Sequence, residues 1–449
     1  MIRKMLFVTT LAAIIFSACP YIKAADNPPG ESYTKSRSSS YKFDFGPGKT
    51  EPGYIQITPS TVYSQELGYG FHSDSLLSYV MAIDRGSDDA IRSDFCSSTS
   101  PFFFTVDVPE GNYQGTVTMG DEKAETATTV KTELRRLMLE KVRTAPGEFA
   151  TRTFLVNTRS PRIAGGGEVE LKDREKTFEF WAWDDKLTFE FNDTRPTVCS
   201  LEIAPVDNTK TIFLLGDSTV CDQPREPFNS WGQMVTRFFT PEVVIANHSE
   251  SGETFRDSQH RRRLDKILSL MKPGDVLIMQ FGHNDMKERG EGIGAFTSFK
   301  SSIKHFVAET RKAGGIPVLV TPVQRRNFDE QDKIVNSHGD YPEAVRQAAK
   351  EDNVPLIDLH AMSTTLYETL GPQGSVALFS VPEDRTHHNN YGSYQLAKCI
   401  VQGIIDNKLD IAQYIVDDWQ DFNPAHPDPL ESWEFPASPQ MRSLRPDGN

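Results

Sequence analysis

Five short apolar runs, separated by helical patterns, constrain this chain more than any other feature. They are Thr211-Ile212-Phe213-Leu214-Leu215, Val243-Val244-Ile245-Ala246, Val276-Leu277-Ile278-Met279, Pro317-Val318-Leu319-Val320 and Pro355-Leu356-Ile357. A strand buried on both faces has no reason to alternate polar with apolar residues, so continuous runs of this kind read as parallel-sheet strands. Between them, residues 299–311 carry Phe299, Ile303, Phe306 and Val307 on one helical stripe and stop at Gly314-Gly315, a helix C-terminus signal. Residues 341–350 and 394–405 also read as helix. Strands alternating with helices predict an α/β fold, a parallel sheet with helices on both faces and right-handed crossovers. In such sheets the site lies outside the carboxyl ends of the strands.

The N-terminal half has a different period. Tyr41-Lys42-Phe43-Asp44-Phe45 alternates and turns at Gly46-Pro47-Gly48. Residues 102–108, 113–119 and 187–192 are strand-like, with turn residues such as Pro109-Glu110-Gly111-Asn112 between them. Short strands with this punctuation predict an antiparallel β-sandwich over residues 41–206. The α/β domain then occupies 207–414 and a Pro-rich tail 415–449. A length of 449 residues exceeds what one core supports, which agrees with two domains.

Residues 1–24 form a basic start and a short apolar run, the pattern of an export signal with cleavage after Ala24. Phe16-Ser17-Ala18-Cys19 offers a rival reading, a lipoprotein signal anchored at Cys19. Residues 25–40 are rich in Ser, Pro and Lys and form a linker. No later apolar run is long enough to span a bilayer. The expected location is therefore periplasmic or extracellular. The five cysteines include no CxxC pair, so a zinc ribbon or thioredoxin-like site has no support. Cys96 and Cys199 fall in the same region, and an oxidising compartment permits a bridge between them. Cys221 reads as a small buried residue. The charge, 48 basic against 62 acidic residues or −14, repels phosphate backbones and excludes broad nucleic-acid binding. It leaves room for an acidic polysaccharide held by a few local arginines.

The chemistry-bearing residues cluster where the strands end. Gly216-Asp217-Ser218 follows the first run, residues 247–252 the second, and Gly282-His283-Asn284-Asp285 the third. Asp384-Arg385-Thr386-His387 precedes the last helix. A serine hydrolase needs a nucleophile, a base, a group that orients the base, and oxyanion donors. Ser218, His387 and Asp384 supply the first three. The N–H groups of Ser218 and Gly252 and the side-chain amide of Asn284 supply the donors. That chemistry needs no metal or cofactor, and no metal-ligand spacing is present.

These four blocks, in this order, resemble the SGNH (GDSL-type) hydrolases. Gly216-Asp217-Ser218-Thr219-Val220, Ser230-Trp231-Gly232-Gln233, Phe281-Gly282-His283-Asn284-Asp285, Asp384-Arg385-Thr386-His387, His338-Gly339-Asp340-Tyr341-Pro342 and Thr321-Pro322-Val323 are similar to the rhamnogalacturonan acetylesterase branch. The resemblance covers about residues 210–405. The region before it resembles the galactose-binding-like sandwiches fused to such esterases. The resemblance implies a flavodoxin-like hydrolase domain, an acetylated pectic polysaccharide as substrate, Ser218 as nucleophile, His387 as base then acid, Asp384 as its orienting group, and Ser218, Gly252 and Asn284 as the oxyanion hole. Two positions depart from the pattern: Glu253 stands where a basic residue is common, and His388 where an aromatic is.

The remaining residues leave alternatives open. Trp231 either flanks an acetyl pocket or belongs to the core. Arg325 and Arg326 either pair with galacturonate carboxylates or are solvated. His388 is the rival to His387 as the base, and otherwise lines the cleft or the start of the last helix. His283 reads as a structural hydrogen-bonder, Arg261-Arg262-Arg263 as a solvated helix face, and Trp181 with Trp183 as one strand face packed in the sandwich core. The expected activity is deacetylation of rhamnogalacturonan. The alternatives are an esterase on another acetylated glycan such as xylan, or a non-catalytic surface glycan-binding protein. The sandwich is expected to position the enzyme on the polymer, so that a chain beginning near residue 207 keeps activity on small esters.

Overall fold

The computed structural model describes residues 40–72 and 79–439. The expected export signal, Cys19, nearly all of the linker and residues 440–449 lie outside the described residues.

The five apolar runs form one parallel sheet: Lys210–Gly216, Val243–Asn247, Val276–Gln280, Ile316–Val320 and Leu356–Ile357. Counted in chain order, the strands lie 2-1-3-4-5, and every neighbouring pair is parallel. Alternate residues of each strand face opposite layers. Ile212, Leu214, Ile245, Ile278, Val318 and Ile357 share a core with residues of the helices Leu359–Gly374 and Asn390–Asp406. Phe213, Leu215, Leu277, Met279 and Leu319 share the other with residues of Arg263–Leu270, Lys300–Lys312 and Tyr341–Glu351. Each such side chain, taken fully out of water, contributes roughly 1.5–3 kcal/mol, which is why the runs carry no polar residue on either face beyond Thr211 at the start of the first. The chain reverses direction across the sheet at the first strand, so the crevice opens beyond Gly216.

The last helix starts four residues before the sequence pattern placed it. Asn389 caps it by accepting the Gly392 N–H at 3.0 Å. A Cβ at Gly392 would stand 2.0 Å from the Leu378 carbonyl oxygen, so only glycine lets the helix seat against the loop carrying His387.

Residues 41–205 build two five-stranded sheets and a three-stranded one. Apart from the parallel pair Tyr41–Phe45 and Ile55–Ile57, their strands pair antiparallel. Phe43, Phe45, Phe71, Phe104, Val117, Phe189 and Phe191 fill the core between them. The sequence pattern did not reveal the strands Thr126–Thr132, Arg136–Thr144 and Phe149–Thr158. Two of them carry runs of threonine and charge whose burial comes from tertiary contact.

The two halves share a buried boundary. Leu137 is fully buried in the same core as Trp231 and Met234. Buried ion pairs cross it: Arg136 with Asp222 at 2.8 Å, Arg135 with Glu226 at 2.5 Å, and Glu175 with Arg263 at 2.7 Å. The tail runs across both halves. Trp433 packs on Tyr391 and Tyr394, and Ser438 donates to Glu190 at 2.8 Å.

Three expectations are corrected. Arg263 is wholly buried against Glu175 rather than solvated, because Glu175 from the N-terminal half reaches it. Trp181 and Trp183 lie on and after a short 3-10 turn, Phe180–Ala182, not on a strand. Cys96 and Cys199 are both free; their thiols face the Ile57 and Gly120 carbonyls. Among the described residues no helix is long and apolar enough to cross a membrane.

Candidate active site

Four loops meet at the carboxyl ends of the strands. Asp217 shapes the first by accepting both the N–H and the hydroxyl of Thr219, at 3.0 and 2.9 Å. Gln223 donates to the Ser218 carbonyl at 2.8 Å. The turn thereby presents Ser218 Oγ to the crevice.

The last loop brings the imidazole. His387 Nε2 lies 3.0 Å from Ser218 Oγ, and His387 Nδ1 lies 3.1 Å from Asp384 Oδ2. The other Asp384 oxygen accepts the backbone N–H groups of Thr386 and His387 at 2.8 and 3.0 Å. Burial raises the Asp384 pKa, but the His387 side chain and these backbone donors outweigh it and hold the carboxyl well below the usual range. An ionised Asp384 favours the tautomer with hydrogen on Nδ1, leaving Nε2 able to accept the Ser218 proton. The Phe228 ring meets the His387 ring edge-on at 6.0 Å and closes that side.

The second and third loops supply N–H groups. Gly252 has φ +73°, a left-handed turn that an L side chain rarely adopts. It is half-exposed while its neighbours Ser251 and Glu253 are buried. Asn284 Nδ2 donates to the Glu253 carbonyl at 3.1 Å, which joins the third loop to the second and leaves its other amide hydrogen available. Asp285 strengthens the same joint by accepting from the Phe255 and Gly282 N–H groups, both at 3.0 Å. Burial, opposed by these backbone bonds, pushes its pKa up to about 8. His283 hydrogen-bonds the Val323 carbonyl at 2.9 Å and so holds the neighbouring fourth-strand loop.

The structure separates the other residues named from sequence. Trp231 is fully buried, its indole N–H donating to Gln280 at 2.8 Å. It is a core residue and touches no crevice. His388 is likewise buried, bonded to the Tyr367 hydroxyl at 2.7 Å and packed on Phe379, with its pKa pushed down to about 3 by burial. That removes it from substrate contact. Arg326 donates to the Pro382 carbonyl at 2.5 Å and lies over Phe379, so it braces the loop bearing Asp384. Arg325 is half-buried and donates to the His283 carbonyl at 3.3 Å.

Sequence reasoning missed Lys287, whose ammonium lies 3.4 Å from Asn284 Oδ1. The signal was present: it stands three residues after Asn284, one turn along the short helix Asp285–Lys287. Among the described residues neither Lys287 nor Arg325 has a carboxylate within ion-pair distance. Arg325 nonetheless stands close enough to Asp217 and Asp384 to feel their charge. The rim beside Asn284 is thus cationic in a chain of net charge −14. A groove of about 650 Å³ opens near Val243 at the other ends of the strands and is lined by no serine or imidazole. Among the described residues no cluster of His, Cys, Asp or Glu is placed to hold a metal ion.

A serine within reach of a carboxylate-backed imidazole, on a 2-1-3-4-5 parallel sheet, defines an ester hydrolase of the SGNH type. The comparisons with known proteins agree. The model of the GDSL-like lipase/acylhydrolase family matches residues 214–392, and that of the β-agarase/YXIM esterase-like, galactose-binding domain-like family matches residues 41–146. The chain is 37% identical to the rhamnogalacturonan acetylesterase RhgT of Bacillus subtilis (strain 168), over 46% of this chain and 94% of that protein. It is 29% identical to the uncharacterized esterase YxiM of the same organism, over 81% of this chain and 90% of that protein. It is 27% identical to the acetylxylan esterase of Geobacillus stearothermophilus, over 44% and 95%. The chain belongs to the GDSL-like lipase/acylhydrolase family and carries a galactose-binding-like region ahead of its hydrolase domain.

Proposed function

We propose that the protein is an exported carbohydrate esterase that removes O-acetyl groups from rhamnogalacturonan, an acidic pectic polysaccharide. The observation that carries this reading is the cationic rim, Lys287 and Arg325 without carboxylate partners beside Asn284. Arginine offers a carboxylate two parallel N–H donors, and lysine a point charge. A galacturonate residue next to the acetylated sugar supplies the missing anion. The 37% identity to a rhamnogalacturonan acetylesterase supports the same substrate.

The mechanism follows from the side chains. Ser218 Oγ attacks the acetyl carbonyl carbon while His387 Nε2 takes the hydroxyl proton. Such base catalysis is worth roughly 10²–10⁴-fold. Negative charge gathers on the carbonyl oxygen and is met by the N–H groups of Ser218 and Gly252 and by the Asn284 amide. One well-placed donor there is worth about 10²–10³ in rate. The tetrahedral intermediate collapses, His387 gives the proton to the departing sugar oxygen, which leaves as a hydroxyl, and Ser218 is left acetylated. Water, deprotonated by His387, then releases acetate and restores the serine.

A second reading, acetylxylan as substrate, draws on the acetylxylan esterase relative. Acetate release from matched panels of acetylated rhamnogalacturonan and acetylated xylan separates the two. The proposal expects kcat/KM on the acidic polymer to exceed that on the neutral one, and the reverse order overturns it.

A further inference from the structure

The hairpin between the strands Thr126–Thr132 and Arg136–Thr144 turns over Glu133, Leu134 and Arg135. Glu133 has φ +53° and Arg135 φ +67°. Neither is glycine, so each holds a left-handed backbone that L side chains rarely adopt. Such residues persist where their surroundings over-determine them, and they gather at functional sites. This turn is held by the hydrolase half. Gln233, on the short helix that begins at Trp231, donates to the Leu134 carbonyl at 2.5 Å and to the Gln223 carbonyl at 3.0 Å.

Arg135 is buried, and each nitrogen of its guanidinium has a partner. Nη1 donates to the Phe228 carbonyl at 2.7 Å and to the Gln223 carbonyl at 3.3 Å. Nη2 donates to Asn390 Oδ1 at 3.1 Å and pairs with Glu226 at 2.5 Å. Nε donates to Ser438 Oγ at 3.2 Å. Glu226 in turn accepts from the Asn390 amide and from the Ser438 N–H, both at 3.0 Å. One cation from the N-terminal half therefore joins the loop 223–228, the start of the last helix and the tail.

The two carbonyls that Arg135 holds belong to the two residues of that loop that reach the reacting groups. The Gln223 side chain donates to the Ser218 carbonyl at 2.8 Å, and the Phe228 ring meets the His387 ring edge-on at 6.0 Å. A planar guanidinium fixes several acceptors in one geometry, which a single ammonium on a flexible stem does not. Resting on the Ser218–His387 mechanism given above, we propose that Arg135 is a positioning residue for that reaction. It fixes the loop 223–228. Through Gln223 and Phe228 the loop sets the hydroxyl and the imidazole at the separation that proton transfer needs. Arg135 acts through the loop and not on the reacting atoms.

The test measures steady-state hydrolysis of 4-nitrophenyl acetate, with a urea titration of each protein. It compares the full chain with Arg135→Lys, Phe228→Leu, the double variant and Asn390→Ala. Arg135→Lys keeps a cation beside Glu226 but loses the planar fork. Its kcat falls by on the order of tenfold while KM stays within about twofold, because misplaced reacting groups cost rate rather than binding. The loss in the double variant falls short of the product of the single losses by about threefold or more, since both act through one loop. Where Arg135→Lys shows no cooperative unfolding transition, Asn390→Ala decides the matter. It loosens the same guanidinium without removing a buried charge, and the same fall in kcat is expected. A folded variant with unchanged kcat, a loss confined to KM, or losses that multiply in the double variant overturns the positioning role alone. A Ser218→Ala chain as active as the unsubstituted one overturns the mechanism and the positioning role with it.

Discussion

The Lys172 ammonium lies 3.1 Å from Glu253 Oε1 and also donates to the Ser251 carbonyl, so a side chain from the N-terminal half grips both neighbours of Gly252. Glu253 further draws Arg261 and Arg263, each at 3.6 Å. In the family pattern that the sequence resembles, a basic residue is common at position 253. The chain has an acid there instead and brings the cations from elsewhere. Gly252 offers an N–H whose worth depends on its angle to an oxygen that becomes negative only in the transition state.

Lys172→Met is therefore expected to lower kcat on a small acetyl ester by about tenfold, a fraction of what losing a whole donor does. KM should change little, because the interaction strengthens only in the transition state. Lys172→Arg should recover most of the loss. Steady-state kinetics read this directly, and a fall confined to KM would refute the positioning role.

Arg263 is the pivot of the boundary between the halves. Removing it strands Glu175 in a buried site, and breaking a buried pair costs about 3–5 kcal/mol. Arg263→Met should lower the unfolding free energy by that order in urea titration. A chain beginning at residue 207 strands more: Asp222 loses Arg136, and Lys266 loses Glu110 at 2.6 Å. The sequence alone made such a fragment active on small esters. The structure predicts instead that it fails to fold, and a cooperative unfolding transition in the fragment would contradict this.

Ser218→Ala removes the proposed nucleophile while leaving its turn, whose bonds run through the Asp217 side chain and the Ser218 carbonyl. Acetate release should fall by at least about 10³-fold with little change in thermal melting. Asp384→Asn should cost roughly 10²–10⁴-fold, because an amide at that position no longer fixes the His387 tautomer. Labelling of the unsubstituted chain by a serine-directed phosphonate, absent in Ser218→Ala, checks the same assignment independently.

The parallel sheet was legible because burial on both faces leaves an unbroken apolar run, and three of the four loops were legible because each follows such a run; the fourth was legible by its place before the last helix. Chain order then put Ser218, Gly252, Asn284 and His387 on one rim. What stayed hidden depends on contacts between distant segments. Arg263 sits in a basic triplet on a helix, and nothing local distinguishes a solvated arginine from one met by Glu175. Trp231 and His388 stand beside catalytic motifs, yet their burial is decided by Gln280 and Tyr367, 49 and 21 residues away. Strands rich in threonine, such as Thr126–Thr132, lack the apolar alternation that reveals a sandwich strand.

Asp184 gives the N-terminal half a pH dependence whose sign can be stated. Burial raises its carboxyl pKa from 3.8 to about 6, against the opposing pull of Lys186 at 3.4 Å. The folded state therefore holds this proton more tightly than the unfolded one. Its contribution to stability is complete below about pH 4, fades as pH rises through about 6, and leaves an ill-solvated carboxylate above that. Asp184→Asn removes the ionisation. It should match the unsubstituted chain near pH 4.5 and exceed it at pH 8 by on the order of 1 kcal/mol, once screening of a part-exposed group is allowed for. Urea midpoints at the two pH values measure the difference. An offset of the same size at both would mean that the charge of Asp184 is not what the fold resists.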